Sequence, residues 1–301
     1  MVSARPPRTP RRALHGVLLL DKPTGLSSNS ALQAARRLFS AAKAGHTGTL
    51  DPLASGLLPL CFGEATKFSV DLLTADKTYE AELQFGVRTD TGDAEGAVIM
   101  RCPVDFGESE LVAALHRFRG PIRQIPPMYS ALKRDGRPLY ELARQGIEVE
   151  REAREVTVHE LRLLDFSGDR CRLRIACSKG TYVRSLAEDL GAALTSAAHL
   201  TALRRVAVGT LSIVDAVTLD QLAEMPESDR ATWLLAPDTL LQSLPAVSLD
   251  GPAGLRFVHG NPVTTAALPG RCRVYADARL LGLGEVDEAG NLRPRRVLGV
   301  L

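Results

Sequence analysis

Two short stretches of this chain hold residues whose types and spacing could do chemistry. The first is "KAGHTGTLDPLASGLLPL" at 43–60, which sets His46 and Asp51 in a turn of threonines and glycines before an apolar run. Small residues there let another molecule approach the backbone closely, so Asp51 could act as a nucleophile or a base. An aspartate before a proline is also an ordinary turn former, and spacing alone leaves both roles open. The second is "SKGTYVRSLAEDLG", where Tyr182 and Arg184 fall at the start of a helical pattern. A cation in a first helical turn is disfavoured by about 0.3 to 1 kcal/mol, so Arg184 calls for a nearby anion.

Other chemistries find no support. GxxxxGK[ST], a strand-linked GxGxxG, HExxH and GxSxG are all absent from the sequence. The five cysteines (61, 102, 171, 177 and 272) form no CxxC pair, which argues against a zinc site or a disulfide framework. Neither a metal nor a cofactor is expected.

The elements that would position these residues follow from periodicity. "HGVLLLDKPTG" reads as a buried strand ending in a Pro/Gly turn. "SSNSALQAARRLFSAAKAG" reads as a helix capped by Ser27, Ser28 or Asn29 and closed by Gly45, so that the Asp51 turn starts where a helix stops. "KTYEAELQFGVRT" alternates, with Tyr79, Ala81, Leu83, Phe85 and Val87 on one face. "ESELVAALHRFRG" is an amphipathic helix stopped by Gly120, and "CRLRIAC" is a strand whose cysteines join the core. No regular βαβ alternation appears, so the expected class is α+β around a mixed, largely antiparallel sheet. A helical connector is expected over 213–246, and from 247 the glycine-punctuated segments "CRVYAD", "LLGLGEVD" and "NLRPRRVL" suggest a small β-barrel-like module.

A chain of 301 residues, 45% hydrophobic and 24% charged, can bury a large core and suits one big domain plus a small one. No apolar run approaches the roughly 20 residues of a membrane span, and no signal peptide is evident, so a cytoplasmic protein is expected. The net charge of +2 says little about partners. Local clusters say more: residues 1–12 carry Arg5, Arg8, Arg11 and Arg12 without an acid, and 119–144 hold six basic residues against two acidic ones. Either cluster could equally be a solvated surface.

In order along the chain, "GVLLLDKPTGLSS", "GHTGTLDPLASGLLPL", "KTYEAELQFGVRTDTGD", "PPMYSALKRDGRPLYELAR" and "SKGTYVRSLAEDLG" resemble the bacterial tRNA pseudouridine-55 synthases of the TruB type. The similarity spans about residues 14 to 212, and the terminal segment resembles, more weakly, the small PUA module of such enzymes.

That resemblance implies a pseudouridine synthase fold with a C-terminal PUA domain. It divides the chain into a basic flexible tail (1–12), a catalytic domain (13–246, with an RNA-contacting insertion at 119–151 and the connector) and an RNA-binding module (247–301). It implies isomerisation of uridine 55 in the T loop of tRNA, by a monomer without guide RNA. No atoms are gained or lost, so no cofactor is needed. Asp51 becomes the essential carboxylate, attacking C1′ or removing a sugar proton. Arg184 keeps it charged, and Tyr79 stacks on the base with its hydroxyl near C5. Tyr182 and Leu203 line the uracil pocket, His46 fills the space the flipped base leaves, and Lys22 with Pro23 shapes the floor. Arg123, Lys133, Arg134, Arg137 and Arg144 meet phosphates. Three other readings remain at this stage: a guide-dependent or ribosomal-RNA pseudouridine synthase, a non-catalytic RNA folding assistant, and a small-molecule lyase built on the Asp/Arg pair. Loss of product with retained RNA binding in an Asp51→Asn variant separates the enzyme from the assistant, and absence of tRNA affinity at low salt would favour the lyase.

Overall fold

The computed structural model describes residues 11–299. Arg5 and Arg8 of the basic head lie outside them. By residue 12 the chain is already docked: Arg12 N–H donates to the Ser40 carbonyl at 2.6 Å, and its carbonyl accepts from Ala42 N–H at 2.9 Å.

Strand β1 (Gly16–Lys22) is buried along nearly its whole length. A continuous apolar run suits a strand covered on both faces, and here alternate residues enter two cores. Leu18 and Leu20 pack under helix α1 (Ser28–Leu38), whereas Val17 and Leu19 pack toward Phe68 and Leu72. Ser27 caps α1, its side chain accepting from Ser30 N–H. The helix ends at Leu38, short of the expected stop at Gly45, and Ser40 turns the chain at φ +50°. Residues Ala44–His46 then form a short strand, β2, paired with β3 (Ser55–Phe62). The expectation that Gly45 closes the helix is thus corrected: the carbonyl at the helix end is satisfied by Arg230, which donates from Nη1 to Leu38 O at 2.7 Å, a tertiary contact that local spacing does not reveal.

Helix α2 (Ser69–Leu73) leads to β4 (Lys77–Phe85), where Ala81, Leu83 and Phe85 are buried as the alternation predicts. Gly86, at φ +79°, breaks the strand before Val87, which joins a separate hairpin of β5 (Val87–Thr89) and β6 (Val98–Arg101). Helix α3 (Glu108–Arg117) buries Leu111 and Leu115. Strand β7 (Gly120–Gln124), which pairs with the main sheet, the hairpin β8 (Lys133–Arg134) and β9 (Arg137–Pro138), and helix α4 (Leu139–Ala143) occupy the stretch 119–151. Long strands β10 (Arg154–Ser167) and β11 (Arg170–Cys177) follow, with Cys171 and Cys177 in the core. Helix α5 (Val183–Ala193) and strand β12 (Ala198–Val208) close this half.

The stretch 213–246 is more than a helical connector. After β13 (Leu211–Ser212) it supplies β14 (Val217–Thr218) and β15 (Leu234–Leu235), which pair with β1, and helices α6 (Leu219–Glu224) and α7 (Glu227–Arg230). Both short strands cover the exposed edge of β1, which would otherwise leave unpaired backbone groups. Among the described residues the large sheet runs β14-β1-β3-β12-β4-β11-β10-β7, antiparallel except at β1·β14 and β3·β12. The β3·β12 contact requires Gly56: at φ +101° a Cβ there would sit 2.3 Å from the Arg205 carbonyl.

The terminal module is a second sheet. Strands β16 (Ala246–Leu249), β17 (Val263–Thr264), β18 (Gly270–Ala276), β19 (Arg279–Val286) and β20 (Asn291–Val297) pair in the order β16-β18-β19-β20-β17, with helix α8 (Gly251–Val258) against them. Leu280, Leu283 and Leu298 join the core beneath β1, and Lys67 donates to Val297 O at 2.9 Å, so the module is seated on the larger half.

Candidate active site

The Asp51 turn is pinned from both sides. Ser28, near the start of α1, accepts from Leu50 N–H at 2.7 Å and donates to Leu50 O at 3.0 Å. Thr47, fully buried, ties its N–H to Pro59 O at 3.1 Å. Leu50 and Ala54 are sunk in the core, and Gly25 N–H donates to Pro52 O at 2.8 Å. Between these anchors the Asp51 side chain remains 43% exposed. Small residues allow a tight clamp, and the clamp holds one carboxylate at the edge of the core.

Arg184 comes to it from the first turn of α5. Its Nη2 lies 3.0 Å from Asp51 Oδ2, and its Nη1 lies 3.6 Å from Asp93 Oδ2. The guanidinium also donates to Thr91 O at 2.9 Å and Tyr129 O at 2.7 Å. Arg184 is 5% and Asp93 6% exposed, so the cation is fixed by a buried acid and two carbonyls while its other edge holds the accessible Asp51. A planar fork with five donors suits this many-sided role better than an ammonium would.

Asp51, Tyr79, Tyr182, Arg184 and Leu203 line one open cleft of about 250 Å³. Register explains the grouping: Tyr79 on β4 stands opposite Arg205 on β12, and Leu203 stands opposite Ala81. Burial pushes the Tyr79 phenol above its ordinary range, with the Arg205 guanidinium pulling the other way. Burial likewise raises Tyr182. A shape with aromatic walls, an apolar floor and one fixed carboxylate beside a cation accepts a flat, polar-edged ring and stabilises charge developing next to it.

Family comparison decides the lineage. Models of the TruB family match residues 36–183 (TruB family pseudouridylate synthase, N-terminal domain), 184–243 (tRNA pseudouridylate synthase B C-terminal domain) and 245–298 (pseudouridine synthase II TruB, C-terminal). The chain belongs to the TruB family. It is 62% identical over 288 residues to tRNA pseudouridine synthase B of Dechloromonas aromatica, covering 95% of this chain and 96% of that protein. It is 57% identical over 299 residues to the protein of the same name from Burkholderia lata, covering 97% and 92%. In fold it is similar to the chain in an archaeal box H/ACA sRNP Nop10–Cbf5 complex (TM-score 0.73, 24% identity, 95% of this chain and 86% of that one). A Cbf5–Nop10–Gar1 complex gives a TM-score of 0.71 at 24% identity, over 95% and 84%.

Two of the TruB-type residues expected at the site, Lys22 and His46, do not line the cleft. Lys22, expected with Pro23 to shape the floor of the substrate pocket, has no exposed surface; its Nζ donates to Pro23 O at 2.8 Å and Leu26 O at 2.7 Å, so it holds the turn and does not itself reach substrate. Burial brings its ammonium down to about 8, with Asp51 opposing. His46 is half-buried on β2, outside the cleft lining, with Nδ1 lacking a hydrogen-bond partner. Burial lowers its pKa, the Gly48 backbone opposing, so the ring is neutral at pH 7. Arg123, Lys133, Arg134, Arg137 and Arg144 are all exposed on the insertion.

Sequence reasoning missed Asp93 and Arg205. "TDTGD" reads as a polar turn, and nothing local distinguishes Asp93 from its neighbours; only the fold brings it to Arg184. Arg205 is 1% exposed, donates from Nε to Leu57 O at 2.8 Å and lines the cleft beside Tyr79. Its position in a mostly apolar strand, with no acid adjacent, was the available signal. Among the described residues no cluster of His, Cys, Asp and Glu could hold a metal, and no helix is long and apolar enough to cross a membrane.

Proposed function

We propose that this chain converts uridine 55 in the T loop of tRNA to pseudouridine, with Asp51 as the carboxylate that acts on the sugar. The observation that carries the reading is the 3.0 Å contact between the half-exposed Asp51 and the buried Arg184 at a cleft walled by two tyrosines. The reaction breaks the N1–C1′ bond, turns the uracil and joins C5 to C1′; the proton on C5 leaves and N1 takes one up from solvent, so the atoms balance. An ionised Asp51 serves either route: it attacks C1′ to form an ester that C5 then displaces, or it removes a ribose proton to give a glycal that later takes it back. Arg184 pairs with the carboxylate and holds its direction. Tyr79, against the ring, has its hydroxyl in reach of the departing C5 proton. Tyr182 and Leu203 line the uracil pocket, and His46 stacks where the base was.

The TruB membership and the relatives named tRNA pseudouridine synthase B support tRNA as the substrate. On this reading residues 13–246 form the catalytic domain and 247–301 a PUA-like RNA-binding unit. The five insertion cations hold RNA phosphates, and the enzyme works in the cytoplasm as a monomer without guide RNA. The test uses unmodified tRNA transcript tritiated at uracil C5. Wild type releases label from one T-loop position, and Asp51→Asn releases none while binding the RNA as tightly. Release by that variant at the wild-type rate would overturn the role of Asp51.

A further inference from the structure

The walls of the active cleft carry four cationic side chains, Lys77, Lys179, Arg184 and Arg205, against one carboxylate, Asp51. Arg184 is accounted for by Asp51, Asp93 and two carbonyls. Lys77 spends its Nζ on Leu73 O and Ala75 O. Arg205 is buried, with Nε on Leu57 O and the neutral Tyr79 phenol beside its guanidinium, so among the described residues no acid pairs with it and its Nη2 has no partner. Lys179 is exposed, with no hydrogen bond or ion pair among the described residues. Nearby Asp76 is engaged by His159 at 3.2 Å. A uracil ring is neutral and cannot offset this surplus; in an RNA the group that can is a phosphodiester.

The outer end of the cleft is built to seat one. Lys77 stands opposite Cys177 in the β4·β11 register, so the 178–182 turn emerges beside it. That turn is rigid: Ser178 Oγ accepts from Thr157 N–H at 2.9 Å, Thr181 Oγ1 donates to Ser178 O at 2.9 Å, and Gly180 adopts φ +82°. Helix α5, eleven residues long, starts directly after it, and Val183 lines the cleft. In the same wall Arg205, 1% exposed, has its Nη2 without a hydrogen-bond partner, which leaves a donor there for a bound group.

We propose that Lys179 holds a phosphodiester adjacent to the target uridine, with the start of α5 and the Lys77 side chain in the same wall. This rests on the reading of the chain as an RNA uridine isomerase. Phosphate at a helix start beside a lysine is a favourable electrostatic arrangement.

The test uses the full-length protein and a T stem-loop RNA. Lys179→Met should lower kcat/KM by about tenfold, the scale of one charge-assisted hydrogen bond. It should also reduce the log–log salt slope of RNA binding by about 1. Lys179→Arg should restore most of both. The decisive step replaces the two linkages flanking the target uridine, one at a time, by neutral methylphosphonates. At one linkage the replacement should cost wild type about as much as the Lys179→Met change and cost the variant nothing further. Wild-type behaviour of Lys179→Met, or losses that multiply at both linkages, overturns the proposal. The coupling is read in RNA binding as well as in turnover. A wild-type protein that binds this RNA without releasing tritium refutes the isomerase reading while still deciding the role of Lys179.

Discussion

Replacing Asp93 by asparagine tests whether the buried acid governs the accessible one. At 3.6 Å, and with an effective dielectric of about 20, the Asp93–Arg184 attraction is about 4 to 5 kcal/mol before desolvation is subtracted. Removing the only partner of a buried charge costs about 3 to 5 kcal/mol. Arg184 keeps Asp51 and two carbonyls, so the stability loss should be smaller, about 1 to 3 kcal/mol. The geometry should suffer more. Asp93 Oδ1 accepts from Thr91 Oγ1 at 2.6 Å and from Glu95 N–H at 3.1 Å. An asparagine that keeps those bonds turns its NH2 toward a guanidinium that has only donors, and Arg184 must shift, taking Asp51 with it. A displacement near 1 Å can cost about a hundredfold in rate. Single-turnover tritium release should therefore fall by about two orders of magnitude, while urea unfolding moves modestly and affinity for the T stem-loop stays within a few-fold. A variant with the wild-type rate would refute the claim that Asp93 positions the Asp51–Arg184 pair.

Lys22→Met should lower stability by about 1 to 3 kcal/mol, because it removes the two hydrogen bonds by which the buried ammonium ties down the Pro23 and Leu26 carbonyls of the turn. The pH dependence gives this variant a signature. Folded Lys22 loses its proton near 8, whereas the unfolded residue keeps it to about 10.5, so between those values the unfolded state binds more protons and wild type gains stability as pH rises. The deficit of the variant should widen across that window in urea titrations and stay constant below it. Gly56→Ala should cost about 1 to 3 kcal/mol, from an unfavourable positive φ and collision with the Arg205 carbonyl, and should lower activity by moving β12; an unchanged thermal midpoint would contradict the close strand approach. Thiol labelling of native protein near pH 8 should modify Cys102 first. Cys61 and Cys171 are buried and pushed up to about 12, Cys177 to about 11, and all should react only on unfolding.

Local sequence carried much of this protein because local forces set those parts. The alternation from Lys77 to Phe85, the Ser27 cap, the apolar stripe of α5 and the small-residue turn around Asp51 each follow from the geometry of a few neighbouring residues. The resemblance to TruB enzymes named Asp51, Tyr79, Tyr182, Arg184 and Leu203, and the fold brings those five to one cleft. Helix α1 stopping at Leu38, the pairing of 217–218 and 234–235 with β1, and the burial of Lys22 were decided elsewhere, since each depends on a partner distant in the chain. So was the acid that steadies Arg184. Periodicity reports which face of an element is apolar, but a charge finds its counter-charge only through the sheet order, and that order is set by how the two cores on either side of β1 are filled.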